Sequence, residues 1–241
     1  MTFKESILLK IKVLFIFIIF FLLNLDSLHS IEEKMVLIPA GSFLMGGDTE
    51  EDQKPIHLVF LDAFYIDRFE TTQKDFKKSM GYNPSRHINA NSPVENVDWF
   101  EADEYCKKIK KRLPTEAEWE KAARGKKKTK YYWGNNINSN FAWYNRNSRR
   151  KTHPIGKKKP NDYGLFDISG NVWEWVSDWF EKDYFKFSPF SNPKGPKTGI
   201  FKTLKGGSWS NDPNYLTIGY RMVYGPEGKD EYIGFRCAQK K

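Results

Sequence analysis

The residues best placed for chemistry lie in one segment, Tyr163-Gly164-Leu165-Phe166-Asp167-Ile168-Ser169-Gly170-Asn171-Val172-Trp173-Glu174-Trp175. Asp167 and Glu174 bracket a Gly-Asn turn, a backbone shape that can direct carbonyl groups inward. Calcium takes roughly six to eight oxygens and mixes carboxylates with carbonyls. Asp167, the carbonyls of Gly170 and Val172, and Glu174 would supply half of such a shell. The same spacing has a plainer reading, in which Asp167 caps a turn and Glu174 pairs with a Lys or Arg. Spacing alone leaves both open.

Other reactive side chains are scattered. His57, His87 and His153 stand far apart in unlike contexts and read as surface or hydrogen-bonded core histidines. Ser208 follows two glycines, which suits a tight turn better than a nucleophile elbow. The two cysteines, Cys106 and Cys237, can form a disulfide, stay as buried thiols or act as a redox pair. The Cys-x-x-Cys spacing of a redox pair is absent.

The elements that would hold these residues are short. Met35 to Ile38 and Ser42 to Met45 read as two strands around a Pro-Ala-Gly turn, and His57 to Phe60 and Ala63 to Ile66 as further strands. Thr72 opens a helix that ends near Met80, with Gly81 placed to stop it. Asp98 and Glu101 make an N-terminal cap pattern, followed by Ala102, Tyr105, Cys106 and Ile109 on one face. Thr115 and Glu118 form a capping box before Trp119, Ala122 and Ala123, and Gly125 terminates that helix. Beyond Gly125 only short strands are expected, at Asn171–Val176, Phe201–Lys205 and Ile233–Cys237. Eight Trp in so loop-rich a chain predict a core of large aromatics under irregular backbone, an α+β class with much coil.

Charge and leader set the context. The net charge of +9 is concentrated in Lys126–Lys130 and Lys157–Lys159, runs that read as solvated loops. Without a basic stripe interleaved with aromatics, no nucleic-acid partner is expected. Lys4, Lys10 and Lys12 precede the apolar run Val13–Leu23, too short for the roughly 20 residues that cross a bilayer. Residues 1–30 are therefore expected to be a signal peptide ending near Ser30, and 31–241 a single domain. An uncleaved signal anchor is the alternative, and the only route to a membrane partner.

Five blocks, in order, resemble the formylglycine-generating enzyme family, also called the sulfatase-modifying factor family. They are Ile38–Gly46, Arg112–Glu120, Gly170–Trp175, Gly206–Trp209 and Ile233–Arg236, spanning about Met35 to Ala238. The resemblance implies an irregular single domain akin to the C-type lectin fold. It places Asp167, Gly170, Val172 and Glu174 at a calcium site of the family, with Asp167 where Asn is often found. It makes Cys106 and Cys237 a structural disulfide pair. The family's other calcium loop corresponds to the short, basic Asn145–Arg150, so no second ion is expected.

The catalytic part of the resemblance fails. The family's oxidases bind copper(I) through two cysteines just after the Gly-Gly-Ser-Trp block and convert a substrate cysteine to formylglycine. Asn211 and Leu216 stand at those positions, and no cysteine lies between Lys205 and Arg236. Soft thiolates select copper(I); amide and alkyl groups do not. The expectation is an exported pseudoenzyme of the periplasm, cell envelope or extracellular space that uses calcium and not copper. Ser208, Trp209, Asn211, Asp212, Asn214, Tyr215 and Arg221 are expected to form a ligand groove for a glycan or a segment of an envelope protein. The alternative is a sulfatase-modifying oxidase working through other ligands.

Overall fold

The three α-helices that lie wholly within the described residues each start at a local cap. Thr72 accepts from the Asp75 amide to open α1 (Gln73–Met80), and Gly81 closes it at φ 89°. Reciprocal capping boxes open the other two: Asp98 with Glu101 for α2 (Trp99–Lys108), and Thr115 with Glu118 for α3 (Glu116–Arg124). Their apolar stripes face inward, with Ala102 and Cys106 of α2 and Trp119, Ala122 and Ala123 of α3 fully buried. The computed structural model describes residues 34–241, so the expected leader lies outside the described residues.

Among the described residues nine strands make three small sheets. β1 (Met35–Ile38), β4 (Phe64–Asp67) and β9 (Ala238–Lys240) form one, in the order β1-β4-β9. β2 (Gly41–Met45) pairs antiparallel with β3 (His57–Leu61), Gly41 opposite Leu61. The third has the order β7-β6-β5-β8, built from β5 (Trp173–Trp179), β6 (Lys202–Lys205), β7 (Met222–Tyr224) and β8 (Ile233–Gly234). β5 runs antiparallel to β6 and parallel to β8.

The strands flanking the Pro39-Ala40-Gly41 turn enter different sheets, β1 beside β4 and β2 beside β3. One expectation is corrected here. Of the expected strand Ile233–Cys237 only Ile233–Gly234 is strand, as β8, and β9 begins after it in a different sheet. Buried Arg236 lies between them, where its guanidinium leaves the ladder for Glu174.

Residues 36–241 form one unit with two main apolar clusters. One gathers Trp119 of α3 with Ile38, Leu61, Ile66, Ile168 and Val176. The other joins α1 and α2 to the third sheet through Phe76, Tyr105, Trp173, Trp175 and Phe235. Between Cys106 and Cys237 a disulfide closes, with Cα atoms 5.7 Å apart. The expected α+β architecture with much coil is the one observed.

Candidate ligand-binding site

The Gly170-Asn171 turn organises the site. Gly170 has φ 84°, and an added Cβ would stand 2.1 Å from the Trp143 carbonyl oxygen, so only glycine lets that backbone approach. Asn171, also left-handed at φ 60°, then acts as a hub. Its amide nitrogen donates to Trp143 O at 3.0 Å and its side chain accepts from the His153 amide at 2.9 Å. Its carbonyl receives Trp209 N at 2.9 Å, and its Nδ2 donates to Glu70 at 2.6 Å. Segments that are distant in sequence are thus fastened to one residue.

Below this turn sits a buried ionic cluster of Glu70, Asp167, Glu174 and Arg236. Both plainer readings of the two acids are realised. Asp167 Oδ2 accepts from Gly156 N at 2.6 Å, and Glu174 takes Arg236 Nε and NH2, each at 2.7 Å. Glu174 Oε2 also accepts from Trp119 Nε1 at 2.8 Å. Asp167 Oδ1, however, is buried with no hydrogen-bond partner. Burial pushes the Asp167 carboxyl up to about 6. Burial, then the charges of Asp167 and Glu174, push Glu70 well above the usual carboxylate range. Three carboxylates share one guanidinium.

No three His, Cys, Asp or Glu side chains among the described residues converge as a ready metal centre. A calcium site built mostly of carbonyls does not need them to. Each carboxylate oxygen carries two lone pairs, so Glu174 Oε1, bonded to Arg236 alone, retains one to offer. The spare Asp167 oxygen, the all-oxygen donor set and the excess of negative charge fit a hard cation.

The residues expected to line a groove separate into two groups. Asp212 and Asn214 are exposed, and Tyr215 is 38% exposed against the Tyr220 ring. Ser208 is buried, and Trp209 is nearly so, its Nε1 donating to Glu231 O at 3.1 Å. Asn211 closes its own turn, Oδ1 accepting from Ser208 N at 3.0 Å and Ser208 Oγ at 2.6 Å. Asp212 accepts from Asn145 Nδ2 at 2.6 Å, and Leu216 is buried.

Arg221 is not a groove residue. It is buried between the Phe180 and Phe185 rings and forks onto Glu116 at 2.7 and 3.0 Å, where the ion pair replaces the water it gives up. Under α3 the same device recurs, with Lys205 at 3.2 Å and Arg124 at 2.7 Å from Glu120.

An open cavity of about 670 Å³ is lined by His87, Trp143, Arg149, Lys151, Thr152 and His153, among others. It joins the turn at 208–212 through His87, which meets the Trp209 ring edge-on at 5.7 Å. Its framework is fixed by Ser148, whose Oγ donates to Trp209 O at 2.9 Å and whose carbonyl lies 2.6 Å from His153 Nε2. The His153 ring stacks on Trp143 at 3.8 Å, and Lys158 Nζ lies 3.6 Å from the centre of the same indole. Burial, then the neighbouring cations Lys151, Lys158 and Arg149, hold His153 below its ordinary value. Sequence reading named His87 and His153 without joining them, and missed Trp143 and Thr152. The available signal was the basic loop between the Trp-Gly pair and Pro154.

Short helices, three small sheets and an aromatic core under long coil, locked by a Gly-Asn-Val-Trp-Glu-Trp turn, define a coil-rich α+β domain with a surface pocket. The chain belongs to the sulfatase-modifying factor enzyme 1-like domain family, whose sequence profile matches residues 26–241. It is 31% identical to the formylglycine-generating enzyme of Mus musculus, over 85% of this chain and 74% of that protein. It is also 31% identical to the serine/threonine-protein kinase pkn1 of Chlamydia caviae, over 86% of this chain, and spans 38% of that protein's length. Treponema denticola variable protein 1 is a solved structure with 33% identity and a TM-score of 0.80, covering 86% of this chain and 95% of that one.

Proposed function

We propose that this protein is a binding or accessory module and not an oxidase, working in the cell envelope or outside the cell. The observation that carries this reading is the fate of the cysteines. The sequence contains only Cys106 and Cys237, and they are bonded to each other. At the positions of the oxidases' copper-binding pair, Asn211 spends its side chain on its own turn and Leu216 packs inside. Neither offers copper(I) a soft ligand. A long-range disulfide suits an oxidising compartment, which supports export.

The test is mass spectrometry of a sulfatase-motif peptide incubated with the protein, copper, oxygen and a thiol reductant. No aldehyde product, beside a working two-cysteine control enzyme, is the expected result. Protein-dependent conversion would overturn the reading. It would favour a sulfatase-modifying oxidase using other ligands, the alternative that the likeness to the mouse enzyme supports.

The module is further proposed to hold one calcium ion through Asp167, the carbonyls of Gly170 and Val172, and Glu174. The unpartnered Asp167 oxygen supports this, since a buried carboxylate oxygen without a hydrogen bond or ion is costly. The ion would balance the charge beneath the Gly170-Asn171 turn and stiffen it.

A further inference from the structure

The pocket beside Trp209 is basic and combines its cations with aromatic and amide side chains. Its lining residues include no Asp or Glu, while Arg149 and Lys151 stand in it without an ion-pair partner among the described residues. Two acids meet His87 from outside the lining: Glu95, which accepts from the His87 amide at 2.8 Å, and Glu231, 3.7 Å from the ring. Arg149 and Arg150 are consecutive non-glycine residues at φ 55° and 57°, an uncommon conformation that the Ser148 and His153 contacts hold in place.

Three wall residues carry polar atoms sealed from solvent with no hydrogen-bond partner, His87 Nε2, Trp143 Nε1 and Thr152 Oγ1. Thr152 is 5% exposed. Buried polar atoms left unpaired are unfavourable by about 1–3 kcal/mol each. The unpaired cations Arg149 and Lys151, in a lining without acids, select an anion rich in oxygen.

Backbone bonding narrows the partner further. Peptides are commonly read by adding a strand to an open edge. Here four wall amides are taken, with His87 N bonded to Glu95, Asn89 N to Gln73, Asn147 N to Tyr144 O and His153 N to Asn171. Recognition falls to side chains: cations, the Asn89 amide, and Ile88, which is 73% exposed at the rim. That mixture suits a sugar ring, whose hydroxyls meet amides and whose carbon face meets an apolar side chain.

We propose that this pocket binds an acidic saccharide, with sulfate or carboxylate oxygens set against Arg149 and Lys151. This deepens, and rests on, the reading of the chain as a binding module.

The test uses the full chain and follows tryptophan fluorescence and calorimetry with a sulfated, uronate-containing tetrasaccharide. Arg149→Ala with Lys151→Ala should weaken binding by about tenfold or more, since charge-assisted hydrogen bonds carry that order of affinity. A second variant, Lys126→Ala with Lys128→Ala, removes two charges from another basic loop and should bind as the parent does. Equal loss in both variants, or no loss in the first, would overturn the proposal by showing diffuse charge attraction. Equal affinity for a penta-glutamate peptide or for inorganic sulfate alone would also overturn it. A neutral saccharide that binds as well as the acidic one would overturn the anion specificity and leave the module reading intact, whereas peptide oxidation by the protein would remove that reading itself.

Discussion

At the scale of single residues, buried acids divide into those with a partner and those without, and pH and metal separate them. Asp178, on β5, accepts from Glu116 N at 3.0 Å and Ser177 Oγ at 2.9 Å, yet burial and then the charge of Glu116 push its carboxyl up to about 7. Below its ordinary value, 3.8, both folded and unfolded chains hold the proton. Between there and pH 7 only the folded chain does, so this contribution to stability is lost as pH rises through that window. The slope is at most about 1.4 kcal/mol per pH unit for one proton. Asp178→Asn should flatten the fall in urea-unfolding free energy between pH 5 and pH 7.5, and parallel curves for the two proteins would reject the assignment. For Asp167 the proposed calcium ion gives the test. Chelator should lower the melting temperature of the parent protein, and Asp167→Asn should shrink that shift, because an ion bound only to the folded state stabilises it by mass action. Calorimetry should return one calcium site, and no chelator effect on the parent would count against any ion there.

At the scale of elements, what was legible followed from locality. The caps at Thr72, Asp98 and Thr115 were readable because each helix start is settled within a few residues, and the structure places all three as expected. Sheet membership was not readable in the same way. β1 and β9 stand on either side of β4 although they open and close the described chain, and nothing near Val36 states that. The ion pair of Glu116 with Arg221 spans 105 positions, which is why Arg221 reads in sequence as part of a neighbouring groove. The pocket is less legible still, because its walls come from around His87, Trp143 and Thr152 and meet through long-range contacts such as those of Asn171 and Ser148. The Gly170-Asn171 turn is the element on which this convergence depends. Gly170→Ala should destabilise the fold by at least the roughly 1–2 kcal/mol that a left-handed backbone costs a non-glycine residue, with the Trp143 clash added. Loss of saccharide binding should accompany it. Unchanged unfolding would mean that the Trp143 backbone can move away freely.

At the scale of the whole molecule, the Cys106–Cys237 bond ties α2 to the end of the chain across 131 positions. Cys237 also shares backbone and side-chain hydrogen bonds with Asp67, whose carboxylate meets Lys111. Helix α2, the first sheet and the last strand therefore depend on one junction. A loop of that length removes on the order of 4–5 kcal/mol of conformational freedom from the unfolded chain in entropy models, a large share of the roughly 5–15 kcal/mol that keeps a domain folded. The bond also commits the chemistry, since both sulfurs are fully buried and would remain inside the core even as thiols. Reduction should consequently weaken the fold without creating a surface site for copper. The expected outcome is a fall of several kcal/mol in urea-unfolding free energy for Cys106→Ala with Cys237→Ala relative to the oxidised parent. Peptide oxidation should be absent from both. A double variant within about 1 kcal/mol of the parent would show that the aromatic core alone holds the chain ends. Copper-dependent oxidation by the reduced parent, lost in the double variant, would show that the two sulfurs reach substrate after all.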